Sequence, residues 1–187
     1  MTATEELLMD HVFIRRLQLI IEKCYTTLYD GNNIPAGDLI KILNIIEHFV
    51  DQFHHGKEEN SYFPKAQKRD YSYSDEIRKF VIEHEFGRRI AKRIRFHLEE
   101  FLQDNDRREP LARYLKTYSV FILDHTSKED SFFIRLKEKK SLSEEEERML
   151  KEQFDYLKVE CLHKVSNGNS NNFIQTLELL ESSDWAR

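Results

Sequence analysis

Helix-breaking residues are scarce in this chain, and half of them fall between the predicted helical segments. The sequence holds only 5 glycines and 3 prolines among 187 residues, so long helices are permitted. Within the segments, apolar residues recur every three to four positions, which is the spacing of one face of an α-helix. The pattern predicts four long helices and two shorter ones, at about 4–30, 36–62, 74–104, 109–138, 144–160 and 171–182.

The order of these segments predicts an all-α fold. No run of alternating apolar and polar residues forms a convincing strand. Four long helices joined by short connections are typical of an up-down-up-down four-helix bundle. We therefore expect a bundle over residues 1–140 and a C-terminal helical extension over residues 141–187 that packs on it.

Charge and composition limit the partners and the location of such a protein. The formal net charge is −5, which gives no reason to expect binding to nucleic acid or to an anionic membrane. No stretch approaches the roughly 18 consecutive apolar residues of a membrane span, and no secretory signal precedes the first helix. Cys24 and Cys161 lie far apart in the sequence, and reduced thiols are typical of cytoplasmic proteins. We therefore expect a cytoplasmic protein.

Polar residues interrupt the apolar stripe of each long helix. On the second helix the stripe continues from Val50 into His54 and Glu58, and on the fourth helix it reaches His125 and Glu129. Buried carboxylates without a partner would cost several kcal/mol each. A metal cation removes that cost and explains why carboxylates and imidazoles occur together. The first and third helices add one imidazole each, His11 and His84.

These six residues occupy matching depths. In an up-down-up-down bundle, the start of the first helix lies level with the end of the second, the start of the third and the end of the fourth. At a rise of about 1.5 Å per residue, all six would lie roughly 10–15 Å from one end of the bundle. His11 lies near the start of the first helix and His84 near the start of the third. The other four lie near the ends of the second and fourth helices: His54 and Glu58, then His125 and Glu129.

Four imidazoles and two carboxylates are too many donors for one structural zinc ion, which takes about four. The set suits two metal ions bridged by carboxylates. Nitrogen and oxygen donors without thiolate favour iron or manganese over copper(I). Six protein residues leave positions open on two ions, which solvent, oxygen or another small ligand could fill.

The sequence around these residues resembles a known family. The segment HHGKEENSYFP at 54–64 resembles the second-helix signature of the hemerythrin-like cation-binding family. Asp10-His11 resembles the first-helix motif, 83–88 the third and 125–130 the fourth. The resemblance covers about residues 5–138, and HHGKEE is its most specific string.

The resemblance implies a non-haem di-iron site inside a four-helix bundle, with two carboxylate-bridged iron ions as the cofactor and other divalent metals as possible substitutes. Oxygen-carrying members use five histidines and two carboxylates, but here Arg88 replaces the histidine expected one turn after His84. His55 could supply the missing donor, although its position follows the polar face. On the fourth helix, the spacing of the family picks Asp130, whereas helical phase favours Glu129.

Several functions are consistent with this ligand set. We favour a binding protein over an enzyme: a di-iron centre that binds or senses oxygen, another small diatomic ligand or peroxide, with the extension carrying a signal to a protein partner. One alternative is an oxidoreductase acting on peroxide, nitric oxide or oxygen. Others are an iron storage or donor protein and a metal-free interaction bundle. Turnover with stoichiometric product would distinguish the enzyme from the sensor.

Overall fold

The computed structural model describes residues 1–104, 107–166 and 172–186. Over these ranges the protein is all-α and contains no strand. The residues that the sequence analysis assigns to long helices are helical, but the second segment has an unexpected internal winding. The α-helices are α1 (Ala3–Tyr29), α2 (Ala36–Asn44), α3 (Phe63–Arg69), α4 (Ser74–Gln103), α5 (Arg108–Glu138), α6 (Glu144–Ser166) and α7 (Asn172–Glu181). Position 171, the predicted start of the last helix, lies outside the described residues.

The ends of α1 follow from local chemistry. The Thr2 side chain accepts a hydrogen bond from the Glu5 backbone, and Thr2 N–H donates to the Glu5 carboxylate at 2.9 Å. This reciprocal pair satisfies backbone donors that the first turn leaves without partners. After the C-terminal end, Gly31 adopts φ +79°, a left-handed conformation that glycine enters without a steric penalty.

Two π-helical segments, Ile45–His55 and Glu58–Tyr62, lie between α2 and α3, so that the chain is helical from 36 to 69. The predicted end of this helix near position 62 is wrong, because the helix continues past Pro64 to Arg69. Pro64 closely follows the last π-helical residue, at the change from π-helical to α-helical winding. In a π-helix the hydrogen bonds join residues five apart, so adjacent side chains point in closer directions than in an α-helix. Residues 53–58 are all buried, because α6 covers the side of this segment that faces away from the polar layer, with Phe154 near Lys57.

The buried apolar residues form two clusters, and a polar layer lies between them along each of four helical segments. On α1, Leu7 belongs to one cluster and Ile14 to the other, with His11 between them. On α5, Ile122 and Phe132 belong to different clusters, with His125 between. The same holds on the segment from α2 to α3 (Phe53 and Tyr62) and on α4 (Phe80 and Ile90).

The C-terminal helices contribute to the same clusters. Leu150 and Phe154 of α6 pack with Leu7 and Tyr62, and Phe173 of α7 packs in the other cluster. Polar contacts add to this packing, because Thr4 Oγ1 donates to Glu147 of α6 at 2.5 Å. Among the described residues, no helix combines the length and the apolar character that a membrane crossing requires.

Candidate metal centre

The polar layer contains seven buried side chains that we call the central cluster. They fall into two groups whose ligand atoms lie within 4.8 Å of one another. All seven are at most 3% exposed. One group is His11, His54, Glu58 and Glu129, and the other is His55, His84 and His125.

The structure brings together all six residues that the sequence singled out, and it adds His55. The expectation that His55 lies on the polar face is wrong, because His55 is 3% exposed and stacks on His84 with ring centroids 3.8 Å apart. The physical reason is the π-helical winding of Ile45–His55. Its smaller angle per residue lets His54 and His55 face the interior together.

Two imidazole nitrogens meet at the centre of the cluster. His11 Nε2 lies 3.0 Å from His54 Nε2. In each ring the other nitrogen faces a carboxylate: Nδ1 of His11 is 2.7 Å from Asp130, and Nδ1 of His54 is 3.1 Å from Asp10. A carboxylate that accepts a hydrogen bond from Nδ1–H favours the tautomer in which Nε2 of the neutral ring carries a lone pair. Two lone pairs at this separation repel each other unless a cation lies between them or one ring gains a second proton.

The two central carboxylates each reach both groups. Glu58 Oε1 is 3.3 Å from His54 Nε2, while its Oε2 is 3.4 Å from His84 Nε2. Glu129 Oε2 is 3.5 Å from His11 Nε2 and 3.2 Å from His125 Nε2. Its Oε1 is 3.2 Å from His84 Nε2. Each carboxylate therefore lies between imidazoles of both groups.

Several oxygen and nitrogen atoms of the cluster that could bind a metal have no hydrogen-bond partner in the described structure. They include both oxygens of Glu58, both ring nitrogens of His55, and Nε2 of His125. Buried polar atoms are normally satisfied, and each exception calls for an explanation such as an ion. These buried atoms without hydrogen-bond partners point to bound cations, so the residues present fit a metal centre.

A second layer of acids orients the imidazoles. Four carboxylates lie within 3.1 Å of the Nδ1 atoms of four cluster histidines. Each links two helical segments, and together the four links form a closed ring around the cluster. The outer carboxylates and their histidines are Asp10 with His54, Glu59 with His84, Glu83 with His125, and Asp130 with His11.

Sequence reasoning did not assign these outer carboxylates, although a signal was present. Each of them is adjacent in sequence to a cluster residue on its own helix, as Asp10 is to His11 and Glu83 is to His84. Adjacent positions on a helix point in different directions. One residue of each pair therefore enters the cluster while the other supports a histidine on a neighbouring helix.

The alternatives on α5 and α4 have distinct places in the structure. Glu129 is fully buried in the central cluster, whereas Asp130 is partly exposed and holds His11 Nδ1. Arg88 does not enter the cluster. Its guanidinium donates to Glu59 at 2.7 Å and to Asp51 at 2.6 Å, and thereby holds the acid that supports the His84 ring.

Every outer carboxylate also contacts a basic side chain. Glu83 accepts from Lys128 Nζ at 2.8 Å, and Glu59 accepts from Arg88. Asp130 contacts Arg15, and Asp10 contacts Lys57. Because basic groups balance the outer acids, the two central carboxylates and five imidazoles remain available for a cation.

Without a metal, the buried imidazoles and carboxylates of the cluster have shifted pKa values. Burial lowers the pKa of His54 to about 4. Burial also opposes protonation of His125, but the charge of Glu129 and hydrogen bonds to Glu129 and Glu83 raise its pKa to about 9. Burial and the neighbouring charge of Glu129 raise the pKa of Glu58. Protons thus partly compensate a site whose acceptors face one another, and a metal ion would replace them.

Aromatic side chains enclose the cluster. Phe121 stacks on His125 with ring centroids 5.4 Å apart, and Phe80 approaches the same ring at 6.3 Å. Phe133 lies 5.8 Å from His11, and Phe63 lies 6.1 Å from His84. An apolar wall of this kind limits access of water and of large molecules.

Comparison with known proteins agrees with this site. The model of the hemerythrin HHE cation-binding domain matches residues 2–136. The match includes α1 to α5 up to the last turns of α5, and therefore every residue of the central cluster.

Curated relatives are distant. The chain is similar to uncharacterized proteins of Mycobacterium bovis and Mycobacterium tuberculosis, at 26% identity over 131 residues. The matched region is 70% of this chain, and the chain spans about half the length of these relatives, 51%. No solved structure matches.

Proposed function

The chain belongs to the hemerythrin HHE cation-binding domain family, and from that premise we propose that it holds a dinuclear non-haem iron centre that binds or senses a small oxidant. The observation that carries the proposal is the 3.0 Å approach of His11 Nε2 and His54 Nε2. Each ring directs its other nitrogen, Nδ1, at a carboxylate. The facing Nε2 atoms are therefore reconciled by an added proton or by a shared metal cation, and the carboxylates of the central cluster favour the cation.

The residues divide naturally between two ions. His11 and His54 would hold one ion, and His55, His84 and His125 the other. The two central carboxylates would be shared, since each lies within 3.5 Å of imidazole nitrogens from both groups. Imidazole and carboxylate donors without thiolate favour iron or manganese. When bound, iron supplies reversible one-electron chemistry and Lewis acidity at its open positions.

An up-down-up-down four-helix bundle is the arrangement proposed around this centre. It is supported by the order in which the helical segments cross the polar layer. Residues of α1 and α4 pass from the cluster that contains Leu7 to the cluster that contains Ile14. Residues of the segment from α2 to α3 and of α5 pass in the opposite order. Opposite orders in consecutive segments are typical of antiparallel neighbours.

Burial favours a small ligand. The cluster side chains are at most 3% exposed, and phenylalanine rings surround them. A diatomic molecule or peroxide fits such an enclosed site better than an organic substrate does. The ring of outer carboxylates fixes the imidazoles in place, which favours a resident metal over the quickly exchanging metal of a storage or donor protein.

A peroxide, nitric oxide or oxygen oxidoreductase is the alternative, because the open positions that sensing requires also permit turnover. The test is titration of the iron-loaded, reduced protein with oxygen or peroxide, followed by absorption spectroscopy and product assay, with metal-free protein as the control. A reversible spectral change without turnover supports the sensor. Stoichiometric turnover supports the oxidoreductase, and no response from an iron-loaded protein contradicts both.

A further inference from the structure

Four basic residues balance the outer carboxylates, and Lys57 differs from the other three. The side chains of Arg15, Arg88 and Lys128 are 35%, 22% and 47% exposed. The side chain of Lys57 is 0% exposed. A lysine is almost never fully buried unless its charge is paired, so the surroundings of Lys57 need an explanation.

Part of what buries Lys57 belongs to α6. Its Nζ lies 4.2 Å from the ring centroid of Phe53 on its own helical segment and 5.1 Å from that of Phe154 on α6. Phe154 itself is 0% exposed. An aromatic face attracts a desolvated ammonium group. The α6 helix therefore both covers Lys57 and stabilises its charge.

Ion pairs continue this contact in two directions. Toward the cluster, Lys57 contacts Asp10, whose Oδ2 lies 3.1 Å from Nδ1 of His54. Toward α6, Lys57 Nζ lies 3.1 Å from Glu6 Oε1, and Glu6 Oε2 lies 2.7 Å from Lys151 Nζ. An unbroken series of contacts thus joins a histidine of the central cluster to α6.

We infer that Lys57 is a positioning residue that couples occupancy of the metal centre to the docking of α6. This inference rests on the proposed function. With a cation bound, His54 is fixed, Asp10 is held against it, and Lys57 has the partner that permits its burial beneath Phe154. With the centre empty, no cation fixes His54, so the hydrogen bond that Asp10 accepts from His54 alone positions the carboxylate beside Lys57.

Linkage makes the effect reciprocal. If metal binding favours docked α6, then docked α6 favours metal binding by the same factor. Coupling energies of this kind typically change an affinity by about 5-fold to 150-fold. A change in α6 that touches no cluster residue should therefore weaken metal binding.

The experiment measures two quantities in the full chain: amide hydrogen exchange over 144–159, and metal affinity in equilibrium competition with a chelator. Wild-type protein loaded with Fe(II) under anaerobic conditions is compared with the same protein after chelation. We expect faster exchange in α6 without metal. Phe154→Ala and Lys57→Met should bring the exchange of the loaded protein toward the metal-free level, and both should bind metal at least about 5-fold more weakly.

Two controls separate this coupling from general damage. Tyr156 is on the same helix and 68% exposed, so Tyr156→Ala should behave as wild type in both measurements. Lys128→Met removes the base behind Glu83 and should leave α6 exchange unchanged. If Phe154→Ala fails to fold, Lys151→Met tests the same series of contacts at its other end, where Lys151 pairs with Glu6 and its side chain is 31% exposed.

The outcomes are distinct. Metal-bound wild type whose α6 exchange equals that of the metal-free protein overturns the coupling and leaves the proposed function intact. Equal metal affinity of wild type, Lys57→Met and Lys151→Met overturns it as well. A wild-type protein that binds no metal overturns the proposed function, and the coupling with it.

Discussion

The Nε2 atoms of His11 and His54 lie 3.0 Å apart, although each ring also faces a carboxylate through its Nδ1 atom. The outer carboxylates Asp130 and Asp10 accept hydrogen bonds from Nδ1–H of the two rings. The facing Nε2 atoms therefore need a shared cation, either an added proton or a metal ion. The fold therefore encloses a buried site that favours a cation.

His55 should matter as much to metal binding as the other cluster histidines. Its two ring nitrogens are buried without a partner, and its group lacks a third imidazole without it. We expect His55→Ala to lose at least half of the bound metal by elemental analysis. His48, a partly exposed residue of the same π-helical segment, is the matched control, and His48→Ala should retain wild-type metal. Equal metal content in the two variants would show that His55 is not a ligand.

An outer carboxylate should tune the metal without being required for it. Glu83 accepts from His125 Nδ1 at 2.8 Å, and this hydrogen bond lowers the pKa of Glu83 to about 2. Glu83→Gln removes the charge that orients the ring, and such changes weaken metal affinity about 10-fold to 100-fold. Competition with a chromophoric chelator measures the affinity. The exposed Glu99 on the same helix provides the control, and a loss of similar size in Glu99→Gln would refute this role of Glu83.

Metal should stabilise the protein more at high pH than at neutral pH. In the metal-free protein the pKa of His125 is raised to about 9 from its ordinary 6.5. The stability that this proton contributes is fully present below pH 6.5 and is lost as the pH rises through 9. Bound metal replaces the proton, so the difference in melting temperature between zinc-loaded and metal-free protein should grow from pH 6.5 to 9. A difference that stays constant or shrinks would contradict this account of His125.

Two glycines offer a matched test of the wall beside the cluster. A Cβ at Gly87 would lie 2.7 Å from the Phe121 ring, whereas a Cβ at Gly37 would meet nothing within 4 Å. Phe121 stacks on His125, so Gly87→Ala must displace the aromatic wall. We expect a destabilisation of about 1–3 kcal/mol for Gly87→Ala and a gain of up to about 1 kcal/mol for Gly37→Ala. Chemical denaturation measures both, and a neutral Gly87→Ala would show that Phe121 moves freely.

The sequence was sufficient to predict the long helices and to single out six of the seven cluster residues. Apolar periodicity is strong in long segments, and histidines within an apolar stripe are visible in the pattern. His11 and His84 are separated by more than 70 positions in sequence, yet antiparallel geometry predicts that they lie at one depth. That prediction requires only helical rise and alternating direction.

The winding of the second segment could not be predicted in the same way. Stepping by 3.6 residues from Val50 places His55 on the polar face. No residue type in 45–62 predicts a π-helix. The π-helical hydrogen bonds depend on packing against the other helices. The sequence predicts the end of the second helix before Pro64, but the helix continues through that proline to the end of α3. The outer carboxylates required knowledge of which helices are neighbours.

The metal content of the purified protein tests the central claim most directly. The chain is produced with iron present, purified without oxygen, and analysed for metal per chain alongside the double variant Glu58→Gln and Glu129→Gln. The account predicts close to two metal ions per wild-type chain, because the donors form two groups that share two carboxylates, and little metal in the variant. A wild-type chain that retains no more metal than the variant would contradict it.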